Sequence, residues 1–119
     1  MIHALTCLLF PLFGGCAPFI EYTATPEALI ANPAYYAGRP VIVTGSVARL
    51  LHLRGASFGT LAETFYLCNG RCVQVFMREH TAMYEGERAS VRGFFSADQR
   101  AGGLVLHNNI DAAEIFPRI

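Results

Sequence analysis

The sequence NPAYYAGRPVIVTGSV, residues 32–47, decides the fold of this chain. From Pro40 onward it alternates β-branched residues with smaller or polar ones, which predicts a strand that continues through Leu53. Gly45 lies inside this strand and predicts a bulge or a sharp bend. The stretch therefore predicts the first strand of a β domain, bent near its middle.

A short helix is predicted directly before this strand. Thr25 can accept a hydrogen bond from the first helical turn, and Pro26 suits the first helical position. We expect a helix over Pro26–Ala31 and, after the interruption at Asn32, a second turn over Pro33–Tyr36. The residues expected to pack these turns on the sheet are Leu29, Ile30, Tyr35 and Tyr36.

Downstream of residue 47 the pattern is again one of strands separated by turn residues. Asn69-Gly70-Arg71 lies between two β-rich runs and predicts a hairpin turn. The predicted strands are Thr64–Cys68, Cys72–Met77, Arg88–Phe95 and Leu104–Leu106, the last broken at Asn108-Asn109 and extended by Ala112–Ile115. The predicted connections are a loop at Gly55–Leu61, a segment at His80–Glu87 with room for one helical turn, and a turn at Asp98–Gly103. This order predicts a domain of five strands.

Five strands with a bent first strand resemble the OB-fold, a small Greek-key barrel. Residues 32–47 follow the pattern N-P-x-x-Y-x-G-[KR]-x-V-x-V-x-G-x-V, which opens small exported OB domains. The likeness continues in Tyr66-x-Cys68-x-Gly70 and Val91-Arg92-Gly93 and spans about residues 32–115. A second likeness, over Tyr36–Val47, is to the starvation-inducible outer-membrane lipoproteins. The resemblance implies an all-β, five-stranded OB-fold-like barrel with a short N-terminal helix, over residues 26–119, and favours a binding module.

The N-terminal residues 1–15 are apolar, and they are too few for a transmembrane helix, which needs about 20 residues. Their length fits the apolar region of a secretion signal peptide. The segment Leu12-Phe13-Gly14-Gly15-Cys16 resembles the lipobox of bacterial lipoproteins. That resemblance implies cleavage before Cys16, a lipid on its thiol, and a tether over residues 16–25. The alternatives are an uncleaved N-terminal hydrophobic helix and a plain signal peptide.

Strand alternation separates core residues from those of the outer face. The residues expected inside are Val41, Val43, Val47, Phe65, Leu67, Val73, Val75 and Met77. Those expected outside on the first three strands are Ile42, Thr44, Ser46, Tyr66, Cys68, Cys72, Gln74 and Phe76. In OB domains this outer face is the usual ligand platform. The candidate ligand-face residues are Thr44, Arg49, Tyr66, Gln74, Phe76 and Arg78.

Aromatic side chains on this face have two interpretations. Tyr66, Phe76 and Phe58 would form a stacking platform for nucleic-acid bases, with Arg49, Arg54 and Arg78 nearby. Aromatic residues are also common on strands, where they pack against a helix or a loop. The second interpretation is the more ordinary one.

Cys68 and Cys72 are predicted to lie opposite each other across the hairpin, with Tyr66 opposite Gln74. In an exported protein such a pair favours a structural disulfide that fixes the hairpin register. Two free thiols, or a redox or metal-binding pair, are the alternatives. The spacing C-x-x-x-C differs from the C-x-x-C of redox and zinc motifs.

Charge and motif composition exclude several function classes. Nine acidic residues balance nine arginines, so the chain lacks the strong positive charge of most nucleic-acid binders. The residues His52, His80 and His107 show no metal-ligand spacing, and His3 lies in the leader. Asp98, Asp111, Glu63 and Glu79 show no carboxylate pairing, and Ser46 and Ser57 lie outside any nucleophile motif. We therefore predict no enzyme activity, no cofactor and no metal.

Three functions follow from these observations. The first is a monomeric, lipid-anchored binding module of the bacterial cell envelope, facing the periplasm, whose partner is an envelope protein, a peptide or a glycan. The second is an OB domain that binds single-stranded nucleic acid. The third is an envelope redox or metal-handling protein that uses Cys68 and Cys72.

Overall fold

A computed structural model describes residues 20–54, 61–101 and 103–118 of the chain. Its strands are β1 (Tyr22–Ala24), β2 (Pro40–Arg54), β3 (Leu61–Asn69), β4 (Arg71–Met77), β5 (Arg88–Ala101) and β6 (Leu104–Arg118). Its helices are α1 (Pro26–Ala31) and α2 (Pro33–Tyr36). No helix within these ranges is both long and apolar enough to span a bilayer. The predicted signal peptide and Cys16 lie outside the described residues.

Five of the strands close into a barrel, which confirms the predicted all-β, OB-like fold. The sheet order is β1-β2-β3-β4-β6-β5, and pairing of β2 with β5 closes the barrel. β6 returns between β4 and β5, parallel to β4, while the other barrel pairs are antiparallel. The long β2 makes closure possible because its first half, Pro40–Ser46, pairs with β5 and its second half pairs with β3.

The irregularity in β2 lies further along the strand than the sequence predicts. Pairing with β5 runs through Gly45 without a shift, and the bulge falls between Ala48 and Leu51. Arg49 there has a φ of 54°, in the left-handed region. Gly45 instead allows a close approach of strands, because a Cβ on it would lie 2.7 Å from the carbonyl oxygen of Cys68. Of the two alternatives predicted for Gly45, a bulge or a sharp bend, the bulge is therefore wrong in position.

The barrel core matches the alternation expected for β2, β3 and β4. All eight residues predicted to point inward are buried, from fully enclosed valines to Met77 at 8% exposure. Leu29 of α1 is fully buried in the same cluster. Burial of one face at every second residue is what fixes the strand register, because a slip of one position would expose the whole set.

Both helices begin and end where the sequence predicts. The Thr25 side chain accepts a hydrogen bond of 3.0 Å from the backbone N–H of Ala28, as an N-cap should. Ile30 and Tyr36 pack against the core beside Leu29. Tyr35 does not pack on the sheet as expected. It is 54% exposed and contacts the rings of two other tyrosines instead.

The chain departs from the predicted secondary structure at its less regular segments. Tyr22–Ala24, predicted as tether, pairs in parallel with Val41–Val43 as β1. The predicted turn at Asp98–Gly103 is mostly strand, since β5 runs to Ala101. β6 continues through Asn108, which adopts a φ of 48°. His80–Glu87 contains no helical turn, and of the predicted Gly55–Leu61 loop only Leu61 is described, as the start of β3.

Candidate ligand-binding face

The β3–β4 hairpin has the predicted register. Cys68 pairs with Cys72 and Tyr66 with Gln74. The two Sγ atoms lie 2.04 Å apart, at disulfide distance, and the Cα atoms are 4.1 Å apart. No described cysteine is free. A covalent link at the end of this hairpin holds β3 and β4 in one register on the outer face of the barrel.

A pocket of about 260 Å³ lies beside this cysteine pair. Its lining residues are Ala48, Arg49, Tyr66, Cys68 and Cys72. We call it the Arg49 pocket. It joins three strands, because β2 supplies the first two residues, β3 the next two and β4 the last. Sequence alternation placed three of these side chains, Tyr66, Cys68 and Cys72, on one face and put Arg49 near it.

The left-handed backbone of Arg49 explains how this arginine reaches the pocket. Val47 points inward and Ala48 outward, so regular alternation would turn the next side chain into the barrel. The φ of 54° and the bulge break that alternation, and Arg49 is exposed beside Ala48. A charged group in the barrel core would lose its hydration without a partner, which is strongly unfavourable. The strand irregularity therefore presents a cation at the pocket.

The polar groups of the Arg49 pocket are free to meet a ligand. Neither the Arg49 guanidinium nor the Tyr66 hydroxyl makes a hydrogen bond or ion pair with another described residue. Among the residues that the structure describes, no His, Asp or Glu lines the pocket. Gln74 is half-buried on the same face, outside the pocket lining, between Tyr66 and Asn109 of β6. The pocket thus offers one cation, one phenol and an apolar disulfide wall.

Phe76 and Arg78 are not available in the way the sequence suggested. Phe76 lies on the outer side of β4 but is only 3% exposed. It packs in a second small cluster with Ala62 and Leu106, partly covered by Leu53. The β2–β3 and β5–β6 hairpins supply these neighbours because both extend beyond the paired part of β4. Phe58, the third member of the predicted platform, falls outside the described residues.

The Arg78 side chain contacts two other residues of the protein, Phe76 and Asp111. Its guanidinium lies 5.1 Å above the centre of the Phe76 ring and forms an ion pair with Asp111. Arg78 is not among the described residues that line the Arg49 pocket. Arg49, in contrast, lines the pocket described above.

A second, larger concavity lies on the same face of β2 and has a volume of about 380 Å³. Its lining residues are Thr23, Ala24, Thr25, Ala28, Tyr36, Ile42, Thr44, Asn69 and Arg88. We call it the Thr44 groove. Thr44 itself shares a hydrogen bond of 2.6 Å with Ser90. Sequence reasoning selected only Thr44 of this set, since it assigned residues 16–25 to a tether.

Two of the histidines come together although their sequence spacing gives no sign of it. The rings of His52 and His80 stack at 4.4 Å. His52 Nε2 also lies 3.3 Å from the carboxylate of Glu63, which is fully buried and accepts hydrogen bonds from the backbone and hydroxyl of Thr81. His107 pairs separately with Asp98. Within the described ranges, no group of three His, Cys, Asp or Glu side chains is placed to bind a metal.

Comparison with known proteins supports the fold and goes no further. No family model matches the chain, and no curated protein sequence matches it significantly. The chain is similar in structure to asparaginyl-tRNA synthetase from Pyrococcus horikoshii, with 14% sequence identity and a TM-score of 0.50. The alignment covers 83% of this chain and 23% of the synthetase chain. At such identity the likeness concerns the barrel alone.

Proposed function

We propose that the chain is a non-enzymatic binding module whose ligand site is the Arg49 pocket. The observation that carries this proposal is the left-handed backbone of Arg49, which turns its guanidinium out beside Tyr66, where no described residue pairs with it. Non-glycine residues in this conformation are uncommon and cost free energy, and they cluster at binding sites. The remaining wall is rigid because it is made of paired strands and bonded sulfur atoms.

The pocket fits a ligand group that combines a flat or apolar part with a negative charge. A ring or alkyl group can rest against Tyr66 and the cysteine pair, while Arg49 offers two parallel N–H donors to a carboxylate. The volume of about 260 Å³ holds one such group and not a run of them. We therefore propose an acidic group of a protein, a peptide or a glycan as the ligand.

Binding is a better proposal than catalysis for this pocket. Its described lining side chains can hold and orient a ligand, and none of them is a carboxylate or imidazole that could act as a general base. The cysteine thiols, which would be the strongest nucleophiles present, lie at disulfide distance from each other. A redox role for Cys68 and Cys72 would require that this link be readily reduced.

We further propose that the module acts in the bacterial cell envelope, held by a lipid on Cys16. The apolar leader and the lipobox-like segment before Cys16 support this proposal. Ile20, the first described residue, is four residues further along, so the anchor would lie within about 14 Å of the domain. Intact-mass analysis of the protein from its native host tests it. Acylated Cys16 is expected, and an unprocessed N-terminus would refute it.

Single-stranded nucleic acid is the second candidate ligand. The OB-like barrel favours it, since this fold binds oligonucleotides on the face that carries Tyr66. The structurally similar synthetase is by its name an enzyme of tRNA. The burial of Phe76 weighs against it because successive bases need successive exposed rings. The balanced charge of the chain weighs against it as well.

Benzoate is a minimal probe of the Arg49 pocket, and benzamide is its neutral match. In NMR titrations of the isotope-labelled protein, we expect benzoate to shift the amides of Ala48, Arg49 and Tyr66 more than benzamide does. Arg49→Gln should remove the difference. The exposed Arg100, which lies on β5 away from the pocket, gives the control variant Arg100→Gln. Equal responses to both probes, or an unaltered response in Arg49→Gln, would refute the site.

An oligonucleotide titration separates the two candidate ligands. A ten-residue oligothymidylate is expected to leave the pocket amides unshifted at physiological salt. Binding that weakens steeply with salt and is lost in Tyr66→Ala would make nucleic acid the ligand instead.

A further inference from the structure

We propose that the Thr44 groove is a second binding site, and that it takes a carboxylate-bearing sugar unit of an acidic glycan. The groove is larger than the Arg49 pocket, has different lining residues and lies at a different position on β2. With a volume of about 380 Å³ it falls in the range of small-molecule sites. The proposal that one ligand spans both sites rests on the proposed function of the Arg49 pocket. The proposal that the groove binds a sugar does not depend on it.

The groove exists because β2 has a gap along one of its edges. β1 pairs with β2 only as far as Val43, and β3 pairs with it only from Ser46 onward. Thr44 lies between these two neighbours. On one side β1 has ended and leads into α1, and on the other side β3 ends at Asn69 in the hairpin. Strands and a capped helix thus form the walls, so the cavity is part of the framework.

The lining of the groove is hydroxyl-rich, and Arg88 carries the one charge among its described lining residues. Hydroxyl and amide groups come from Thr23, Thr25, Thr44, Tyr36 and Asn69, and the cation is Arg88. The Arg88 guanidinium and the Asn69 amide make no hydrogen bond or ion pair with any residue that the structure describes. Glu27 of α1 faces the hairpin turn at Gly70 and does not line the groove.

This combination matches the groups of a uronic acid. Sugar hydroxyls both donate and accept hydrogen bonds, as do the threonine and tyrosine hydroxyls and the asparagine amide of the lining. The guanidinium of Arg88 can hold a carboxylate through two parallel hydrogen bonds. Ile42, Ala24 and Ala28 supply an apolar floor for the C–H face of the sugar ring. A neutral sugar would leave Arg88 without its partner.

The groove and the Arg49 pocket lie on one track along the outer face of β2. Ile42 and Thr44 line the groove, Ala48 lines the pocket, and Ser46 lies between them opposite Arg88. From Thr44 to Ala48 the strand advances about 13 Å. A short acidic oligosaccharide laid along this track would meet a cation at each site. The hydroxyl and amide lining favours a glycan over nucleic acid, which would need more stacking rings.

The test uses the full chain, isotope-labelled, in a polyoxyethylene detergent that carries no sugar. The probes are D-glucuronate, neutral D-glucose and acetate. Each is titrated separately, and the chemical shifts of the backbone amides are measured by NMR. We expect glucuronate to shift Thr23, Thr44 and Asn69, with glucose and acetate each binding more weakly. Arg88→Gln should weaken glucuronate binding about tenfold, the loss of a charge-assisted contact. The control Arg100→Gln, on the same strand, should bind as the unaltered chain does.

Several outcomes would overturn the proposal. These are the absence of groove shifts with glucuronate, equal binding of glucose, and unaltered binding in Arg88→Gln. A stronger groove response to the oligothymidylate than to glucuronate would assign the groove to nucleic acid. Arg49→Gln separates this proposal from the preceding one, since it should remove the difference between the benzoate and benzamide responses and keep the glucuronate response. Tetragalacturonate should shift both sites and lose affinity in either variant.

Discussion

Replacing Leu29 by alanine should show that α1 is part of the barrel domain and not an appended segment. The Leu29 side chain is fully buried and packs into the main core at one end of the barrel. Removal of its three outer carbon atoms costs about 2.4 kcal/mol in transfer free energy. The cavity left behind raises the cost toward about 5 kcal/mol when neighbours cannot collapse. The paired strands around the site restrict such collapse, so the upper half of this range is expected.

This change in the free energy of unfolding is large beside the total of about 5–15 kcal/mol for an ordinary domain. The corresponding loss in melting temperature is roughly 10–30 °C for a domain of this size. Urea unfolding followed by circular dichroism measures it, with Leu51→Ala as the control because Leu51 is 56% exposed. A Leu29→Ala variant as stable as Leu51→Ala would show that α1 does not contribute to the barrel core, and would refute the prediction.

Three further changes test other parts of the structure. Phe76→Ala should lower the free energy of unfolding, measured in urea, by about 3–5 kcal/mol. Benzoate binding, measured by NMR titration, should be unaltered. A variant with weakened binding and full stability would contradict the burial of Phe76. Reduction of the hairpin cysteine pair, whose sequence separation is 4, should lower stability by about 2 kcal/mol in urea, and a much larger loss would show a wider structural role. The hydrogen bond with Glu21, and next that with Glu114, raises the pKa of Arg92 above its ordinary value. Because a raised pKa stabilises at every pH below the unfolded value, Arg92→Gln should lower the melting temperature equally at pH 7 and pH 10, and unequal shifts would refute this.

The parts of the fold that the sequence predicts are those set by local pattern. Alternation in β2, β3 and β4 identifies the buried face because each strand has one side against the core. Thr25 and Pro26 identify the start of α1 because capping uses side chains within one turn. Both signals lie within a few residues of the feature they predict, and both are confirmed.

The parts that the sequence does not predict depend on contacts distant along the chain. β1 has only three residues, too few for a pattern, and exists because Val41–Val43 offers it a partner. Phe76 reads as an outward residue, and only the length of the two flanking hairpins buries it. Glu63 would be expected on the surface, yet Thr81 and His52 approach it from other segments. Tertiary structure overrides local preference at each of these positions.

In the candidate site too, local sequence pattern predicts some residues, and contacts distant along the chain determine the others. The cysteine pair and Tyr66 follow from hairpin register and alternation, so the sequence places them on one face. Arg49 joins them because of a bulge that begins four residues beyond Gly45, the residue at which the sequence predicts an irregularity. The Thr44 groove was missed because its walls come from β1, α1 and β5 as well as β2. Alternating threonines at positions 23 and 25 were the available signal, and they read equally well as a polar tether.

The N-terminal segment links the proposed location to the proposed binding track. Ile20 leads directly into β1, which is held on β2 by its backbone pairing and by the bridge from Glu21 through Arg92 to Glu114. β1 also forms one wall of the Thr44 groove, whereas the Arg49 pocket lies further along β2. A lipid on Cys16 would therefore place the groove nearer the membrane than the pocket. An acidic glycan bound along β2 would then extend away from the bilayer, with its carboxylates held in order by Arg88 and Arg49.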